Sequence, residues 1–154
     1  MTFDLPWGAV NFDLPWGSVT PVTGILTKNS IHLDNESNVI QSNMTYVVCL
    51  RSDLMGSGDP ELGKVLMENF VDSLKHQQNL PTHVVIYNTG VRLAMKQSPV
   101  CRSLSELEEM GTRVLLCSTC IDHFGIQYDI GAGVITSMMV ITGILASAGH
   151  VITP

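Results

Sequence analysis

From residue 45 onward the chain carries two alternating hydrophobic rhythms. Short unbroken apolar runs, Tyr46-Val47-Val48-Cys49-Leu50, His83-Val84-Val85-Ile86-Tyr87 and Val114-Leu115-Leu116, have the length and β-branched content of buried strands. Between the first two, Leu62, Val65, Leu66, Phe70, Val71 and Leu74 recur at three-to-four spacing, which predicts a helix with that stripe facing the core and an end near Lys75-His76. Asp59 is its expected N-cap and Pro60 its first residue. Leu80-Pro81 marks a turn. Ser103 with Glu106 three residues on reads as a capping box for a helix over 103–110, stopped by Gly111. A short helix over 121–124 and a last apolar helix over 136–148 follow, and after Gly149 the pair Val151-Ile152 reads as a short strand. Strands and helices in this βαβαβαβ-like order predict a three-layer α/β domain, with a mostly parallel sheet covered by helices on both faces.

Residues 1–43 read differently. Phe3-Asp4-Leu5-Pro6-Trp7-Gly8 returns as Phe12-Asp13-Leu14-Pro15-Trp16-Gly17, two Leu-Pro-Trp-Gly turns that hold both tryptophans. Two copies are too few for a solenoid. Residues 24–40 carry turn signals and fit one or two short strands or a linker. The expected division is therefore an N-terminal arm, 1–43, with repeated FDLPWG turns, and a folded domain, 44–154.

The chain has 154 residues, 45% hydrophobic and only 14% charged, which suits one domain with a sizeable core and a sparsely charged surface. That sparseness suggests a homo-oligomer with buried faces. Fourteen acidic and eight basic residues give a net charge of -6, and no Lys/Arg cluster offers a footprint for nucleic acid. Residues 130–149 are uncharged, long enough in principle to cross a bilayer, yet Gly131, Gly133, Gly143 and Gly149 break the run and four hydroxyl residues dilute it. A buried helix plus terminal strand is expected instead of a membrane span. The opening MTFDLPWG lacks the charged and apolar regions of a signal peptide, so a reducing, cytoplasmic setting with four free thiols is the expectation.

Three loops at the C-terminal edge of such a sheet carry the polar chemistry: residues 52–59, residues 88–90, and residues 117–123. Parallel strands bring such loops together, and ligands of open α/β sheets bind at that edge. Cys117-Ser118-Thr119-Cys120, where a strand meets a helix, is the centre of interest, because a helix N-terminus favours the thiolate. The pair is open to three readings. Zinc would need further ligands, with His123 and Cys101 at hand. A dithiol would oxidise to a Cys117–Cys120 disulfide. A single reactive thiol, Cys117, would carry sulfur or selenium with Cys120 assisting or structural, against the plain reading of inert loop cysteines. Asp53 and Asp59 suit a ligand, base, turn or cap role, Gly56 and Gly58 could offer backbone N–H groups to an anion, and His123 could accept a proton from Cys117. The Gly56-x-Gly58 spacing is not a P-loop, since no lysine follows where that motif needs it. Cys49, Met138 and Met139 read as packing residues.

The runs Ser52-Asp53-x-Met55-Gly56-x-Gly58-Asp59-x-Glu61-Leu62-Gly63, Asn88-x-Gly90-Val91-x-Leu93, Leu107-x-Glu109-x-Gly111, Cys117-x-Thr119-Cys120-x-Asp122-x-Phe124-Gly125 and Val134-Ile135-Thr136-Ser137-Met138 together resemble the YedF-type branch of the DsrE-like family across 44–154. The resemblance implies a DsrE-like, flavodoxin-like architecture, frequent oligomerisation, and sulfurtransferase-like activity linked in this branch to selenium metabolism. It assigns a persulfide or perselenide to Cys117 with Cys120 beside it, and the matched positions Asp53, Met55, Gly56, Gly58, Asn88, Gly90 and Asp122 surround the site, with His123 added as the possible proton acceptor. No metal or separate cofactor is implied. The chain departs from the branch in two ways: Ser118 replaces a usual glycine, and 1–43 contain no cysteine, so the TusA-like module expected before this domain is not read there. A TusA-like or other sulfur-relay protein would then be the partner. The competing function is a non-catalytic metal- or redox-sensing assembly module built on the same Cys-x-x-Cys pair.

Overall fold

The computed structural model describes residues 45–154; the N-terminal arm with its tryptophan repeat lies outside the described residues. Five strands, β1 (Tyr46–Leu50), β2 (His83–Ile86), β3 (Arg113–Cys117), β4 (Val134–Thr136) and β5 (His150–Ile152), form one sheet in the order β4-β3-β2-β1-β5. Every pairing is parallel. The helices are α1 (Pro60–Leu74), α2 (Pro99–Glu109), α3 (Ser118–Phe124) and α4 (Met138–Ser147), with a 3₁₀ helix over Asn88–Ala94. The three-layer α/β architecture expected from the sequence is the one observed.

Strand alternation divides the core in two. Val48, Leu50, Val84, Ile86, Val114 and Leu116 turn to one face and pack with Met67, Val71, Leu74, Leu104, Leu107 and Ile121 of α1, α2 and α3. Val47, Cys49, Val85 and Cys117 turn to the other face, against Ile141, Ile144 and Leu145 of α4. The chain runs from β1 to β4 in one direction and then crosses over to place β5 on the far side of β1. The β1/β5 junction is thus the topological switch point of the sheet.

Several local expectations need correction. The buried stripe of α1 is Gly63, Met67, Val71 and Leu74, while Leu62, Val65 and Leu66 are exposed. Gly63 sets this rotation: a Cβ there would lie 3.1 Å from the Met55 carbonyl oxygen, so the helix backbone itself rests on the preceding loop. Helix α2 begins earlier than 103. Ser98 caps it by accepting from the Val100 N–H, and Pro99 occupies the first turn with its φ already helical. Ser103 is inside the helix and donates to Asp72, so it caps nothing, and Glu106 meets Lys75 and Arg102. The run over 134–136 is strand β4, with Ser137 capping α4, so the last helix starts two residues after Thr136. Finally, α4 is not a buried helix. Only Ile141 is fully covered, Met138 and Met139 face outward, and Met139 is 83% exposed. One side of α4 suffices to cover the sheet, and nothing among the described residues lies on its other side. No helix among the described residues is long and apolar enough to cross a membrane.

Candidate functional site

The three loops at the C-terminal edge meet through hydrogen bonds. The Asp53 N–H donates to Thr89 Oγ1 at 3.4 Å, joining the loop after β1 to the one after β2. The Asn88 N–H donates to Cys120 Sγ at 3.1 Å, joining the loop after β2 to the first turn of α3. Asn88 reaches the sulfur because it adopts a left-handed φ of 54°, which asparagine tolerates better than most side chains. Gly90 fixes the same loop from below, since a Cβ there would stand 2.6 Å from the Leu50 carbonyl oxygen at the end of β1.

The two thiols differ in access. Cys117 ends β3, occupies the N-cap position of α3 and is 0% exposed, turned toward α4. Cys120 is half-buried, packs against both core clusters and is the thiol that solvent reaches. Burial pushes the Cys120 thiol above its ordinary pKa. The Asn88 N–H opposes this by stabilising the thiolate, and the neighbouring Cys117 thiol pushes it up again. For Cys120, desolvation is the largest of these influences, and the net direction is upward.

The remaining site residues divide by location. Asn88 and Gly56 line a crevice of about 610 Å³ with Arg51, Ser52, Leu54, Ser57, Tyr87 and Pro154. Asp53 lines a separate cavity of about 250 Å³ with Lys64, Glu68, Arg92 and the start of α2. There Asp53 approaches Arg92 at 3.9 Å, and the Arg92 guanidinium sits 4.7 Å above the Phe124 ring. Met55 packs on the core beneath the first loop, and its N–H donates to the Gly63 carbonyl. Gly58 is exposed and lines neither space. Asp59 caps α1 by accepting from the Leu62 N–H. Asp122 and His123 are exposed on α3, with the His123 ring edge-on to Phe124 at 5.0 Å and no hydrogen bond to either thiol. The zinc set suggested by the sequence is not assembled: Cys101 lies in the opposite core cluster and donates to the Ala94 carbonyl. Among the described residues no three His, Cys, Asp or Glu side chains stand together as metal ligands. Arg51 and Tyr87 add to the site residues expected from the sequence, and the sequence signal for Arg51 is an arginine directly after a strand in an acidic chain.

A parallel sheet with its switch point beside an edge strand, and two thiols where β3 passes into a helix, define a small α/β protein of open-sheet architecture. The sequence profile of the DsrE/DsrF-like family matches residues 66–154, more than half of the chain, and the protein belongs to that family. Solved structures agree on the fold. The ychN protein from E. coli superposes with a TM-score of 0.57 at 19% identity, covering 72% of this chain and 99% of that one. A protein of unknown function from Methanobacterium thermoautotrophicum gives 0.51 at 22%, covering 71% and 98%. A conserved protein of unknown function from Bacteroides thetaiotaomicron gives 0.53 at 15%, covering 76% and 100%. No curated protein matches the chain.

Proposed function

We propose that the protein is a sulfur, or selenium, carrier of the YedF type, with a persulfide or perselenide held at the Cys117/Cys120 pair and Cys120 as the atom that receives it. The observation that carries this reading is the Asn88 N–H directed at Cys120 Sγ, a donor poised to stabilise a sulfur anion on the one member of the pair open to solvent. In the transfer, the Cys120 thiolate attacks the outer sulfur of a donor persulfide. The donor's S–S bond breaks, the donor leaves as a thiolate, and Cys120 becomes Cys120–S–SH. Cys117, in the dry layer beneath α4, is a second thiol within reach. The covalent sulfur takes the place of a cofactor. The working partner is a TusA-like or other sulfur-relay protein in a reducing cytoplasm, and the exposed apolar side of α4 is where copies of the chain associate.

Intact-mass spectrometry after incubation with a persulfide donor tests this. A gain of one sulfur atom should persist in Cys117→Ser and vanish in Cys120→Ser. Loss only in Cys117→Ser would return the persulfide to the buried thiol, and no adduct in any form would end the carrier reading. The adjacency of Cys117 and Cys120 favours one alternative, a redox-sensing dithiol. It would show as a mild-oxidant-induced loss of two hydrogens without any sulfur gain.

A further inference from the structure

The crevice at the switch point has a composition that the thiol pair alone does not require. It lies where β1 and β2 end and is bounded by Pro154, just beyond β5, the location where open α/β sheets receive ligands. Its volume of about 610 Å³ falls in the range of small-molecule sites. Among the described residues its lining holds one cationic side chain, Arg51, and no Asp or Glu, in a chain with a net charge of -6. Asp53, the nearest acid in sequence, faces Arg92 in the other cavity. Arg51 forms no ion pair among the described residues. Its charge is felt by Tyr87, whose phenol is pushed up first by burial and then by Cys49, with Arg51 acting in the opposite sense. Ser52, Ser57 and the backbone of Gly56, which holds a left-handed φ of 77°, add small hydrogen-bonding groups. One wall is Asn88, the residue whose N–H touches Cys120 Sγ.

We infer that this crevice binds a low-molecular-weight carboxylate-bearing thiol, with Arg51 on the carboxylate, and so places a small anionic persulfide beside Cys120 as a sulfur donor. The inference rests on the carrier reading for its chemistry but not for its binding. A planar guanidinium pairs with a carboxylate through two parallel hydrogen bonds, whereas the serines and Tyr87 suit the amide or amine groups of the same molecule. The step is the one described above, with the small thiol leaving as a thiolate.

The test separates binding from transfer. S-Methylglutathione, which has carboxylates and no reactive thiol, is titrated into the full-length protein and into Arg51→Gln. An exposed arginine can be replaced without disturbing the core, and circular dichroism confirms the fold. Loss of a charged hydrogen bond should weaken binding by about tenfold or more, while the diethyl ester should bind both forms equally poorly. No saturable binding to the wild type, or equal binding to both proteins, overturns the inference. In parallel, inorganic hydrogen polysulfide, which has no carboxylate, is used to load Cys120. Loading by polysulfide without S-methylglutathione binding keeps the carrier and removes the crevice. Arg51-dependent binding without loading keeps the crevice as a ligand site and removes the carrier.

Discussion

At Cys120 two neighbours compete around a thiol already disfavoured as an anion by burial. The Asn88 N–H lowers its pKa, and the Cys117 thiol raises it, with burial the largest influence. The net shift is upward, so the thiolate fraction near neutrality is smaller than for a free cysteine. Alkylation of Cys120 by iodoacetamide should keep accelerating above the pH at which a free cysteine levels off. Removing one raising influence with Cys117→Ala should move the midpoint of that profile downward, and an unmoved midpoint would show that the two thiols do not communicate. Cys120 was legible in the sequence as the partner of Cys117, but their division of access was not. Strand alternation could have supplied it: Cys49 and Cys117 turn to the same face as Val47 and Val85, which α4 covers. Asn88 was legible as a loop residue after a strand. Its contact with sulfur depends on a backbone angle that no spacing rule reveals.

At the scale of elements, strand positions follow from apolar runs because a parallel sheet buries both faces and leaves little room for ambiguity. Helix orientation was harder. Helix α1 carries two overlapping apolar stripes, and periodicity cannot choose between them; the close approach of Gly63 to the loop at Met55 does. The start of α2 shows the same limit. Ser98-Pro99 and Ser103 with Glu106 are both respectable openings, but proline preset at the first turn extends the helix to the earlier one. Ser98→Ala should therefore destabilise the protein by about 1 kcal/mol in urea unfolding, the usual worth of a cap. Ser103→Ala should leave helix content unchanged, since that hydroxyl ties α2 to Asp72 of α1. A fall in helix content on Ser103→Ala would restore the capping box. Strand β4 is not legible in the sequence because three residues between glycine-rich turn and helix carry too little pattern, although their pairing with Leu115, Leu116 and Cys117 completes the edge beside the site.

At the scale of the whole molecule, the described residues leave Leu62, Val65 and Leu66 exposed on α1 and a second apolar group on β4 and α4: Val134, Ile135, Met138, Met139 and Val140. In the proposed oligomer the second group is the face that copies share. Met139→Glu should lower the mass seen by sedimentation velocity, and an unchanged mass would place the contact elsewhere. The sheet order carries a different consequence, one of time. Neighbours β1, β2 and β3 meet through moderate loops, but Tyr46 of β1 pairs with His150 of β5, about a hundred positions away. Closing so long a loop is entropically slow, so the switch point is the region whose assembly chain topology delays most. A partly folded chain can hold its dithiol between β3 and α3 while the edge of β1 still stands open. Ligand capture at Arg51 would then report that the last strand has docked, and a small anion present during refolding would draw the chain across that final step.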